Sequence, residues 1–257
     1  MRSVAGAGVV VTGGGSGIGA ALARRFAAEG ARVVDNDLNA DAARKLAGSC
    51  GATAAPGDAA SVAGVAALVD TARGVHGEID MNCANAGVAV GDGEGDEDDW
   101  AASWQVNVMA HVRAARLLLP AWLERGSGHL ICTVSAAGLL TMLGTAPYSA
   151  TKHAALSFAE WLAATYAHRG LTVQALCPMG VRTAMLDGIT PAAELILGET
   201  AITAEEVADA VVAGIADGSF LILPHPDVAR MYANRAAEPD RWLRGMNRLQ
   251  TQTETAV

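Results

Sequence analysis

A chain of 257 residues that is 51% hydrophobic and only 18% charged, with a mean hydropathy of +0.27, has the profile of a packed globular enzyme and not of a disordered chain. Its net charge of −9 and isoelectric point near 5.1 argue against nucleic acid and membrane surfaces as partners, because both present negative charge. Cys50, Cys83, Cys132 and Cys177 lack CxxC spacing and read as thiols kept reduced in a cytoplasm; the six histidines show no ligand spacing, so no metal is expected.

The N-terminal "MRSVAGAGVVV" places one arginine before a short apolar run, as a secretory signal does. The run ends in a glycine cluster, however, and no apolar stretch reaches the roughly 18 residues of a membrane span, so the segment reads as a strand. In chain order, "GVVVTG" (8–13) precedes a helix near 17–29, "ARVVDND" one near 39–48, and "GATAAPGD" one near 61–75. "IDMNCANAG" then precedes a long helix near 98–124, "GHLICTVS" one near 147–168, and "LTVQALCP" an irregular segment; a helix near 203–217 and the strand "SFLILP" close the series. Strands alternating with helices predict one α/β domain spanning 1–257, with a parallel sheet covered on both faces. Irregular stretches at 87–97 and 182–202 follow strand ends, where such sheets keep ligands, and the second is expected to be a substrate-binding lid. The tail 251–257 is expected to fray.

"TGGGSGIG" (12–19) joins the first strand to the first helix. Glycines there let backbone approach a pyrophosphate, and the helix N-terminus offers free N–H groups and partial positive charge, so Gly13, Ser16, Gly17, Ile18 and Gly19 are candidate phosphate contacts. A glycine cluster can also be a tight turn alone; Asp37 favours the cofactor reading. It ends the second strand, 18 residues after Gly19, where a carboxylate accepts from both adenosine ribose hydroxyls and repels a 2′-phosphate. NAD is therefore expected over NADP.

Tyr148 and Lys152, four apart in an alanine-rich helix, share one face. With "TGGGSGIG", Asp37, Gly57–Asp58, "NAG" (85–87), Asn107 in "WQVNVMAH" and Ser135 in "ICTVSAAG", the chain resembles a short-chain dehydrogenase/reductase over nearly its whole length. The resemblance implies a doubly wound, seven-stranded parallel Rossmann fold. It also implies a phenol acting as general acid/base, helped by a lysine that holds the nicotinamide ribose, a serine on the substrate oxygen, and an asparagine anchoring a relay water. These roles fall to Tyr148, Lys152, Ser135 and Asn107. A phenol ordinarily titrates near ~10, so a nearby ammonium is expected to lower it. By the same resemblance Asp58 meets the adenine, Asn85 and Gly87 admit the adenosine ribose, Pro178 lies beside the nicotinamide, and Thr183 meets its carboxamide; Asp58 as a helix N-cap is the alternative.

The sequence departs from the family at Met179 and Gly180, where Pro-Gly is usual, and at Ala84, where an asparagine is usual; Asp35 and Asn82 are polar residues within strands. The acidic tract "GDGEGDEDDW" (91–100) lacks calcium-loop spacing and reads as a solvated loop leading into a capped helix. Candidate substrate-lining residues are Ala137, Leu139, Met142, Met179, Leu186 and Ile189; few neighbours are charged, which points to an apolar secondary alcohol or its ketone. These features fit an NAD-dependent alcohol dehydrogenase, with an NADPH-dependent carbonyl reductase of the same fold and a nucleotide-sensing module without turnover as alternatives. A homotetramer is expected from the resemblance.

Overall fold

The computed structural model describes residues 3–187, 197 and 200–255. Its centre is a seven-stranded, all-parallel sheet in the order β3-β2-β1-β4-β5-β6-β7. The strands are β1 (Gly8–Thr12), β2 (Arg32–Asn36), β3 (Thr53–Ala54), β4 (Met81–Ala84), β5 (Gly128–Thr133), β6 (Leu171–Leu176) and β7 (Leu221–Ile222). Helices α1 (Gly17–Ala28), α2 (Ala40–Cys50), α3 (Val62–His76), α4 (Glu97–Trp104), α5 (Ala110–Arg125), α6 (Ala137–Leu140), α7 (Ala146–Tyr166), α8 (Ala184–Asp187) and α9 (Ala204–Asp217) fill the crossovers. After β7 the chain adds α10 (Asp227–Ala237) and α11 (Pro239–Thr255).

Two apolar layers clothe the sheet, and strand alternation decides which side chain joins which. Val10, Leu130 and Cys132 face the layer containing Val65, Leu118, Trp122 and Leu162 of α3, α5 and α7. Val9, Val11 and Ile131 face Leu22 and Phe26 of α1 and Val207 and Val211 of α9. The strand order reverses at β1, whose neighbours are β2 and β4, so the loops after β1 and β4 diverge and open a crevice at the strand C-termini.

Several expectations change. The edge strands β3 and β7 have two residues each, shorter than their apolar runs, since an edge pairs on one side only. The long helix at 98–124 is broken by a π-helical turn, Gln105–Met109. The tail expected to fray is part of α11 as far as Thr255, and Thr253 is only 3% exposed: α11 packs its inner face onto the domain and carries those residues with it. Most of the expected lid, with Ile189, lies outside the described residues. The acidic tract forms a capping box, in which Asp96 and Asp99 each accept from the other's backbone N–H at the start of α4. Among the described residues no helix is long and apolar enough to cross a membrane.

Candidate active site

The loop between β1 and α1 is shaped by its neighbours. Gly13 and Gly17 have left-handed φ values of 64° and 51°, which side chains resist. A Cβ on Gly19 would overlap the Gly13 carbonyl oxygen, and one on Gly14 would overlap Asp35 Oδ1. Ser16, the N-cap of α1, makes no side-chain capping bond, and the first turn of that helix contains no acid. The result is a cradle of bare backbone at an uncapped helix N-terminus, a form that fits a pyrophosphate.

Asp37 stands just beyond β2. Its Oδ2 accepts from Gly15 N at 2.9 Å and its Oδ1 from Asn39 N at 2.8 Å, so its position is set by the glycine loop and by the start of α2. Asp58 lines the same crevice, and its Oδ1 accepts from Ala60 N at 2.8 Å. The N-cap of α3 is Ser61, whose hydroxyl accepts from Gly64 N at 3.0 Å, which leaves Asp58 free of that duty.

A hydrogen-bonded chain runs from the cradle to the lysine. Thr12 Oγ1 accepts from Asn85 N and Ala86 N, both at 3.0 Å. Asn85 Nδ2 donates to Thr12 O at 3.0 Å, and its Oδ1 accepts from Thr133 Oγ1 at 3.1 Å. The Thr133 carbonyl then accepts from Lys152 Nζ at 2.9 Å. Thr12 and Thr133, which the sequence reading did not single out, thus register β1, β4 and β5 at their C-terminal ends.

Asn107 sits in the π-helical turn. Its Nδ2 donates to Val88 O at 2.9 Å and to Thr151 Oγ1 at 3.1 Å, while its Oδ1 accepts from Val88 N at 2.9 Å. It fastens the loop after β4 to the residue preceding Lys152. A Cβ on Gly87 would lie 3.3 Å from both Asn107 Oδ1 and Lys152 Nζ, so this glycine keeps the backbone close to the ammonium.

Tyr148 and Lys152 rise from α7 as one face, and Lys152 Nζ lies 5.6 Å from the Tyr148 ring centroid. Burial raises the Tyr148 phenol above its ordinary range, and the Ser135 hydroxyl works against that. The direction opposes the expectation of a lowered phenol. Burial also lowers Lys152, to about 8, and its ammonium is directed at the Thr133 carbonyl. Tyr148 is therefore a protonated acid in this structure. Ser135 Oγ accepts from Ala137 N at 3.1 Å and donates to Pro178 O at 3.4 Å.

The Met179 departure has a definite backbone path. Pro178 O accepts from Ala136 N at 2.7 Å, and Met179 N donates to His225 Nδ1 at 3.1 Å. A Cβ on Gly180 would lie 2.5 Å from the Leu197 carbonyl oxygen, so the displaced glycine admits that neighbour. Thr183 lines the crevice opposite Gly17.

The crevice has a volume of about 590 Å³. Gly13, Ser16, Gly17, Ile18, Gly19, Asp37, Asp58, Asn85, Gly87, Ser135, Tyr148, Lys152, Pro178 and Thr183 all line it, as do Ala137, Met142, Met179 and Leu186. Leu139 does not: it is 1% exposed and packs in the layer of α3, α5 and α7, because the α6 turn aims it inward. Missed in the sequence were Met231, Trp242, Met246 and Leu249 of α10 and α11. A helical period with proline at the start of "PDRWLRGMNRLQ" was the available signal.

A crossover crevice with a phosphate cradle at one end and Ser135 beside a buried Tyr-Lys pair at the other defines a dinucleotide-binding oxidoreductase. A profile of the short chain dehydrogenase family matches residues 7–194, and the chain belongs to that family. It is 40% identical over 228 residues to the 1-deoxy-11-beta-hydroxypentalenate dehydrogenase of Streptomyces avermitilis, covering 85% of this chain and 84% of that one. It is 33% identical over 224 residues to human epidermal retinol dehydrogenase 2, covering 82% and 72% respectively. A solved short chain dehydrogenase/reductase from Burkholderia phymatum in complex with NAD superposes with a TM-score of 0.85 at 29% identity, covering 93% of this chain and 96% of that one.

Proposed function

We propose that the protein interconverts an apolar secondary alcohol and its ketone with NAD(H), using Tyr148 as general acid/base. The observation that carries this reading is the joining of the glycine cradle to Lys152 through Thr12, Asn85 and Thr133, with Tyr148 and Ser135 on the same crevice. When bound, the dinucleotide supplies hydride exchange at the substrate carbon. Tyr148, protonated at rest, donates to the carbonyl oxygen as it gains charge, and in the opposite direction receives the hydroxyl proton. Ser135 holds that oxygen by a hydrogen bond that strengthens as charge develops. Lys152, buried and aligned by Thr133, offsets negative charge on the phenol oxygen and would hold the nicotinamide ribose of a bound dinucleotide. Asn107 keeps the Val88 loop and Thr151 in register, so the ammonium stays in place.

Preference for NAD rests on Asp37. Its carboxylate faces the crevice, where Lys152 is the only cation among the described lining residues, and a 2′-phosphate beside it would meet repulsion without compensation. A homotetramer assembled through α4, α5 and α7 accords with exposed Trp104, Leu117 and Trp161, and a cytoplasmic site with four free cysteines.

The test is fluorescence titration with NADH and NADPH, then alcohol-dependent reduction of NAD. NADH is expected to bind at least about tenfold tighter, and Tyr148→Phe to lower turnover by about a hundredfold or more. Equal binding of the two dinucleotides refutes the role of Asp37, and undiminished turnover in Tyr148→Phe refutes the acid/base assignment.

A further inference from the structure

The half of the crevice beyond Tyr148 differs from the cradle in chemistry. Its described lining includes Met142, Met179, Met185, Met231 and Met246, five of the eight methionines in the chain, together with Trp242. The charged lining residues, Asp37, Asp58 and Lys152, belong to the cradle end and the catalytic group. Methionine concentrated this way makes a wall that is apolar, polarisable and able to change shape.

Much of that wall comes from outside the nucleotide-binding core. On α11, Trp242, Met246, Leu249 and the buried Thr253 recur at helical spacing and form one stripe, while Leu243, 64% exposed, lies off it. The helix pair is anchored from beneath by fully buried Val228 and by Met231, Tyr232 and Trp242 against the layer of α3, α5 and α7.

A polar clasp sets its distance from the reacting groups. Arg235 of α10 donates to the Leu139 carbonyl, in the turn after Ser135, and to His153 Nε2 at 3.1 Å. A guanidinium only donates, so Nε2 must accept; the proton therefore sits on Nδ1, which donates to Ser149 O at 2.9 Å. His153 follows Lys152 directly in sequence, so the clasp ties α10 to both segments that carry the catalytic group.

We infer that α10 and α11 are the substrate-selecting element, with Trp242 and Met246 as its contact residues, and that they select a bulky, uncharged, polycyclic alcohol or ketone. This rests on the alcohol dehydrogenase reading for the chemistry of the ligand but not for its binding. A ligand broad enough to meet the α11 stripe as well as Tyr148 gains apolar burial that a small alcohol held beside Tyr148 forgoes.

Calorimetry on the NADH-saturated protein, with 2-adamantanol and cyclohexanol as probes, tests this without needing turnover. The wild type is expected to favour 2-adamantanol by about tenfold or more. Trp242→Ala should erase most of that preference, and Met246→Trp, which fills the cavity from the same stripe, should exclude 2-adamantanol more than cyclohexanol. Leu243→Ala, on the outer face, should leave the preference as in the wild type. NADH titration of each variant confirms a folded cradle. An unaltered preference in both stripe variants, or no 2-adamantanol binding by the wild type, overturns the inference. Failure to oxidise any alcohol would count instead against the proposed reaction, because binding is read separately.

Discussion

Asp35 lies in β2 beneath the glycine loop, is 0% exposed, and has both carboxylate oxygens without a hydrogen-bond partner. Burial, reinforced by the nearby Asp37 charge, raises it from an ordinary value of 3.8 to about 7. The folded state therefore binds the proton more tightly than the unfolded one, and the associated stability is fully present below about pH 4 and lost as pH rises through about 7. At about 1.4 kcal/mol for each pH unit between the two values, the whole loss is about 4 kcal/mol. Roughly 2 kcal/mol of it falls between about pH 5.5 and about pH 8, a window that stays above the isoelectric point near 5.1. Asp35→Asn has the same shape and cannot ionise. Urea denaturation followed by circular dichroism, at one protein concentration and without dinucleotide, should show the variant gaining on the wild type by that amount across the window. The comparison cancels the histidines His76, His111 and His129, all lowered by burial, which titrate alike in both proteins. A difference between the two that does not change with pH refutes the account of Asp35 as a carboxylate held neutral under the loop.

Two other predictions concern the cradle. Thr12→Val leaves the Asn85 and Ala86 N–H groups without their shared acceptor and should lower stability by about 1–3 kcal/mol in urea, with Thr12→Ser restoring most of it; equal losses in both variants would contradict the hydroxyl's role. Gly14→Ala should weaken NADH binding by about tenfold or more in a fluorescence titration, because its methyl overlaps Asp35 Oδ1. Asp35→Ala in the same chain removes that overlap and should recover much of the loss, whereas no recovery would place the fault elsewhere in the loop.

The core fold was legible because its strands and helices follow local rules. "GVVVT" is buried throughout, as a central parallel strand must be, and the caps of α3, α4 and α9 are ordinary Ser, Asp and Thr caps. Most of the candidate groups that line the crevice stand where an element begins or ends, and the order of elements brings those ends together. The inward aim of Leu139 and the helical course of residues 251–255 were not legible, because pattern alone does not say which way a four-residue turn aims a side chain, nor what a terminal segment packs against.

Residue type and order were enough to specify the alternation of strand and helix, the bare glycine cradle, and the pairing of Tyr148 with Lys152 on one helical face, since each depends on contacts within a few residues. Tertiary structure alone decided the rest: the raised phenol, the unpartnered Asp35, the Thr12–Asn85–Thr133 chain, and the wall added by α10 and α11. Those properties come from burial and from atoms more than a hundred residues apart, such as Met142 and Met246 on one cavity, and neither is encoded in any single stretch of the chain.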